Sequence, residues 1–214
     1  MKRDRHLRGD GHVSGHVSEG EKIMSYKTEL LKSQDTFFHV YNRGVNKGNI
    51  FFSEENYLYF LKKLKKYRDQ FQVIIVSYCL MPTHFHLLFK QLEPYAIAKF
   101  MGLSLNAYVK AINKQQKRTG HLFEGKYKMK LVAQDNYLIH LSRYMHLNPV
   151  LSNLASSPED WIFSSYRDYI GLRSGKLPEP NIVLSYFDSV AAYKKFIHDF
   201  ISDDLDEIRP FLDE

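Results

Sequence analysis

The sequence predicts an α+β domain, an antiparallel sheet with helices packed on it. An almost unbroken apolar run, Val73 to Leu80, is followed by Met81-Pro82-Thr83 and a second run of β-formers from His84 to Lys90, the pattern of a hairpin. Segments of helical period lie on either side of that hairpin, the first with apolar residues at i, i+3, i+4 and i+7. In 214 residues, 44% apolar content is enough for one sizeable core, and 15 Tyr with 15 Phe suit a sheet.

Residues 1–34 hold almost no large apolar side chain and contain a small echo, His12-Val13-Ser14-Gly15 and His16-Val17-Ser18-Glu19. A disordered extension is expected there, with Met24 as an alternative start and the spaced histidines incidental. Thr36 to Tyr41 is dense in β-formers and reads as the first strand, broken by Asn42-Arg43-Gly44. Ser53 with Glu54 and Glu55 opens a helix over about 54–69, whose stripe Tyr57, Phe60, Leu61 and Leu64 faces the core and whose lysines 62, 63, 65 and 66 face water.

The hairpin follows, with strands over about 72–80 and 84–90. After Pro94 a second helix carries Ile97, Met101, Leu105, Tyr108 and Ile112 to about residue 114, and the basic loop 114–121 is suited to touching phosphate. Residues 126–133 partly alternate basic and apolar side chains, predicting a strand with one face covered and the other open. Asp135 is placed to cap a third helix over about 136–147, with Leu138, Leu141 and Met145 inward and Pro149 ending it. His140, Tyr144 and Asn148 fall four apart on a neighbouring stripe. Trp161 and Phe163 are expected on the core, 172–182 reads as a linker, and 183–214 as one or two short helices.

The balance of 30 Lys+Arg against 24 Asp+Glu, net +6 with a pI near 9.2, favours an anionic partner. Cys79 is the single cysteine, which excludes a disulfide framework and a cysteine-based zinc site. No apolar run is long enough to span a bilayer and no signal-peptide pattern follows the basic N-terminus, so a soluble cytoplasmic protein with no membrane partner is expected.

The chemistry centres on His84-Phe85-His86. Inside a strand, that spacing puts both imidazoles on one face and Phe85 and Leu87 on the other, a two-point metal grip that ordinary packed histidines also satisfy. The 136–147 stripe adds a tyrosine and a carboxamide four residues apart. Two neutral imidazoles and one amide oxygen leave open positions on a redox-inert cation, which can act as a Lewis acid on phosphate while a tyrosine attacks phosphorus.

Four stretches in order resemble the motifs of the IS200-like, single-tyrosine HUH transposases: His39-Val40-Tyr41-Asn42-Arg43-Gly44, Leu80-Met81-Pro82-Thr83-His84-Phe85-His86-Leu87-Leu88, Tyr144-Met145-His146-Leu147-Asn148-Pro149-Val150 and Trp161-Ile162-Phe163-Ser164-Ser165-Tyr166. The branch associated with repetitive extragenic palindromes is the nearest in pattern. The resemblance spans about 36–170, giving a transposase domain over 35–170 between an extension at 1–34 and a linker with short helices at 171–214.

It implies a ferredoxin-like core and cleavage and rejoining of single-stranded hairpin or palindromic DNA through a 5′-phosphotyrosine, with Mg²⁺ or Mn²⁺. Carried over by position, Tyr144 is the nucleophile and His84, His86 and Asn148 are metal ligands. Some relatives place an acidic residue where this chain has Met81, so no carboxylate supports the ion from that side. Arg43, Lys126 and Lys128 are the candidate DNA phosphate contacts, and His140 is expected to pack. The family includes monomers and homodimers with shared sites. Two other readings stay open, a non-catalytic or host-adapted DNA-binding relative and a metal-dependent hydrolase that uses the His pair with water.

Overall fold

Four antiparallel strands form one sheet, β1 (Thr36–Arg43), β2 (Val73–Leu80), β3 (His84–Gln91) and β4 (Lys128–Val132), in the order β2-β3-β1-β4. Helix α1 (Glu54–Arg68) joins β1 to β2, and α2 (Ala96–Gln115) joins β3 to β4. That β-α-β-β-α-β order with its interleaved sheet is the ferredoxin-like arrangement. A computed structural model describes residues 29–199. Beyond β4 come a third long helix, α3 (Asp135–Leu151), and three short ones, α4 (Tyr166–Tyr169), α5 (Asn181–Leu184) and α6 (Val190–His198).

Strand periodicity divides the sheet's side chains between two layers. Phe38, Val40, Phe85, Leu87 and Phe89 pack with Phe60 and Leu64 of α1 and Ile97, Phe100, Met101 and Tyr108 of α2. Each fully buried Phe or Leu there contributes about 1.5–3 kcal/mol relative to exposure. Val76, Cys79 and Leu88 point the other way, onto Leu138, Leu141 and Met145 of α3. The sheet is therefore covered on both faces, a correction to the half-open sheet expected from β4. Helix α3 supplies the second layer, and a cleft opens at the end near His84.

β2 carries a register shift between Ile75 and Ser77. Its extra residue lets Ile75 and Tyr78 share one layer while Val76 and Cys79 share the other, which strict alternation forbids.

Some boundaries differ from expectation. β1 does not break at Asn42 but pairs through Asn42 and Arg43, opposite Phe85 and His84. β4 is shorter than expected, leaving Lys126 in the loop before it. α3 begins with Asp135 inside the helix and Gln134 at its N-cap, and it runs through Pro149 to Leu151. Proline there removes one backbone bond in the last turn. Burial of Leu147, Asn148 and Pro149 offsets that loss, and the Ser152 N–H closes on the Asn148 carbonyl at 2.9 Å.

Residues 1–28 and 200–214, to which parts of the extension and C-terminal readings apply, lie outside the described residues. Residues 29–33 dock at the end of β3, where the Gln91 amide donates to the carbonyls of Leu31 and Ser33 at 3.1 and 2.8 Å. The 172–182 stretch also lies against the sheet, with a bridge from Pro178 to Ile75 and a 2.8 Å bond from the Glu179 N–H to the Ile75 carbonyl. Trp161 and Phe163 pack as expected. The indole donates to the Leu80 carbonyl at 3.0 Å, and Phe163 stacks on Tyr57 with centroids 3.9 Å apart.

Candidate active site

His84 and His86 project from β3 toward α3 because they share strand parity with Leu88, while Phe85 and Leu87 go to the opposite core. Their rings are 5.0 Å apart between centroids and nearly perpendicular. Thr83 Oγ1 meets His84 Nδ1 at 3.0 Å, which helps fix the ring of His84. The hairpin turn itself is clamped by the loop after β1, since the Gly44 N–H donates to the Thr83 carbonyl at 2.8 Å and the Ile50 N–H to that of Pro82 at 2.8 Å. Gly44 cannot carry a side chain in this arrangement, because a Cβ would stand 2.1 Å from the Gly48 carbonyl oxygen.

Helix α3 brings the other half. The ring of Tyr144 stands edge-on to His86 with centroids 5.5 Å apart. One turn later, the Asn148 amide nitrogen lies 3.4 Å from His86 Nε2. The structure thus brings His84, His86, Tyr144 and Asn148 together within one chain. Burial drives the pKa of His86 well below the ordinary imidazole value, with the neighbouring His84 and His39 adding to the shift. His86 is neutral, as a metal ligand has to be.

The donor set fits a divalent cation. Two imidazoles and one carboxamide make a nitrogen and oxygen site without thiolate. Among the described residues no group of three or more His, Cys, Asp and Glu is placed to hold a metal, so any such site depends on the amide of Asn148. Imidazole favours Mn²⁺ over the harder Mg²⁺.

A cleft of about 470 Å³ opens beside the two histidines, lined also by Tyr41, Arg43, Lys47, Glu124, Lys126 and Lys128. All three predicted phosphate contacts therefore share one cavity wall with the His pair. Their placement follows from hydrogen bonds at the end of β1, where Asn42 Nδ2 donates to the Gly125 carbonyl at 3.0 Å and the Glu124 N–H donates to the Arg43 carbonyl at 3.0 Å. Arg43 forms a forked ion pair with Glu124, and that contact, with Lys128 and Lys47 nearby, holds the Glu124 carboxyl below its ordinary range. The loop 114–121 does not line the cleft. His140 packs edge-on to Phe196 of α6.

Glu124, Lys47 and His39 are site residues that the sequence reading did not assign. His39 and Tyr41 stack beside His86, with His39–Tyr41 centroids at 4.7 Å and His39–His86 at 5.2 Å. The signal was the His39-x-Tyr41 alternation, which puts both rings on one face of β1, the strand beside His86 in the sheet.

A family model described as Transposase IS200 like matches residues 33–148. No curated protein sequence matches the chain. Among solved structures, a REP-associated tyrosine transposase bound to a REP hairpin superposes with a TM-score of 0.56 at 12% identity, covering 69% of this chain and 93% of that one. A candidate transposase from Deinococcus radiodurans R1 gives a TM-score of 0.36 at 17% identity, covering 55% of this chain and 89% of its own. The first likeness concerns the fold, an α+β domain with a four-stranded antiparallel sheet.

Proposed function

The chain belongs to the IS200-like transposase family, and on that premise we propose that it cleaves and rejoins single-stranded DNA beside a hairpin, with Tyr144 as the nucleophile. One observation carries the proposal. Tyr144 and Asn148 stand one helical turn apart on α3, and both face His86 from the same side.

In the proposed step, the Tyr144 phenol oxygen attacks the scissile phosphorus. A phosphorus–oxygen bond to tyrosine forms, the bond to O3′ breaks, and the phenolic proton is made up on the departing 3′-hydroxyl. The DNA is left joined to Tyr144 through its 5′-phosphate. Because this ester conserves the bond energy, a later 3′-hydroxyl reverses the step without a nucleotide cofactor. His84, His86 and Asn148 would hold Mg²⁺ or Mn²⁺, which when bound supplies Lewis-acid polarisation of a phosphate oxygen. Arg43, Lys126 and Lys128 line the adjoining cleft and would align the strand by its phosphates. The hairpin as partner is supported by the fold shared with the hairpin-bound transposase.

The test is a labelled single-stranded hairpin oligonucleotide with Mn²⁺, resolved on denaturing protein gels. Wild type is expected to give a covalent adduct that Tyr144→Phe abolishes. If wild type gives none, the phosphotyrosine route is wrong. If Tyr144→Phe still cuts, water is the nucleophile and the chain is a hydrolase.

A further inference from the structure

His39 is fully buried on β1, outside the set that touches DNA or metal in the proposed reaction. Its Nε2 lies 3.0 Å from Nδ1 of His86, diagonally across the β1–β3 ladder, where Tyr41 rather than His39 is the direct partner of His86. Both rings are buried, which disfavours the charged form of each, so the pair is neutral. Two neutral imidazoles in contact share a single proton on their axis, and it sits on one nitrogen or the other.

The far side of His86 decides which. Its Nε2 faces the Asn148 amide nitrogen, which can only donate, and the Asn148 carbonyl oxygen is engaged by Ser152 Oγ at 3.4 Å, so an ion held by His86 and that oxygen would require a half-turn of the amide. His86 Nε2 is then an acceptor, and the ring's proton lies on Nδ1, aimed at His39. With Nε2 accepting, neutral His39 carries its own proton on Nδ1, a buried nitrogen with no hydrogen-bond partner among the described residues, so this polarity leaves one N–H unpaired and has to be held by the far side of His86.

We propose that His39 is a positioning residue that accepts the Nδ1 proton of His86 and so keeps the Nε2 lone pair of His86 turned toward Asn148. The role rests on the reading of His86 as a metal ligand. A lone pair at Nε2 is what ligation there requires, and outer partners of this kind set both tautomer and ring angle. Without His39, His86 can protonate at Nε2, where the proton would have to leave before an ion could bind.

The experiment uses the full-length chain. In metal-free wild type, imidazole ¹⁵N shifts are expected to show His86 protonated at Nδ1 and unprotonated at Nε2. Mn²⁺ affinity, read by electron paramagnetic resonance, is expected to fall about 10–100-fold in His39→Phe, the range usual for such outer partners. His39→Gln, whose amide oxygen can reach the place of Nε2, is expected to restore both the His86 tautomer and the affinity toward wild type.

A wild-type His86 protonated at Nε2 overturns the inference. So does a folded His39→Phe that binds Mn²⁺ as wild type does, or a His39→Gln no better than His39→Phe. If His39→Phe does not fold, the wild-type tautomer and the Gln variant decide. A wild-type chain that binds no Mn²⁺ overturns instead the metal reading beneath the inference, and the adduct assay on Tyr144→Phe reports on the nucleophile separately.

Discussion

Glu124 is the one carboxylate among the side chains lining a cleft otherwise edged by Arg43, Lys47, Lys126 and Lys128. It holds the Arg43 guanidinium in a fork that a phosphate would also fit. A strand entering the cleft has to displace it. Glu124→Gln is therefore expected to tighten single-stranded DNA binding, and to steepen the salt dependence by up to about 0.7 in the log–log slope if Arg43 gains one phosphate contact. Fluorescence anisotropy across a salt series checks both. Lys128→Ala is expected to weaken binding regardless of sequence and to flatten the same slope by about 0.7. At this scale, His84, His86, Tyr144 and Asn148 were legible because each pair obeys the period of its own element. Glu124 was not, because only the folding of residues 122–126 against β1 brings it to the others and that leaves no local pattern; His39 shares the His39-x-Tyr41 alternation, but its place beside His86 comes from the β1–β3 pairing.

Helix α3 is held from behind as well as in front. His146, between Tyr144 and Asn148 in sequence, is fully buried, with Nδ1 2.7 Å from the Tyr193 hydroxyl and Nε2 2.8 Å from Ser165 Oγ. Tyr193 also meets Ser142 Oγ at 3.1 Å, and Ser165 takes the Tyr78 N–H at 3.0 Å. The helix carrying the proposed nucleophile is thereby tied to both α6 and β2. Tyr193→Phe removes a hydroxyl that serves two buried groups of α3, and is expected to cost about 1–3 kcal/mol in urea unfolding. Leu141→Ala, at a fully buried site between α3 and the sheet, is expected to cost about 2–5 kcal/mol in the same measurement. The existence and order of the long elements could be read from periodicity, since strands and helices repeat differently. The end of α3 could not, because Pro149 argues locally for a stop and the burial that overrides it is tertiary.

For the molecule as a whole, His86, Tyr144 and Asn148 meet within one chain. Mixing Tyr144→Phe with His86→Ala protein is accordingly expected to give no covalent adduct, since neither chain holds a complete set. Recovery of adduct in the mixture would show that α3 exchanges between copies. The sheet has two outer strands, and they are treated differently. β2 is bridged along its length by Ser164 and Pro178, whereas β4, among the described residues, has β1 as its only partner. β4 is five residues long and sets Lys128 and Lys130 in alternation, with Lys126 just before it. A short outer strand carrying ammonium groups repels a second copy that would add itself to the sheet, edge against edge. Lys126 and Lys128, proposed to draw in DNA, thus share with Lys130 a second consequence at high protein concentration. They keep the sheet from growing, so replacing all of them with apolar residues would trade a lost ligand for a sticky seam.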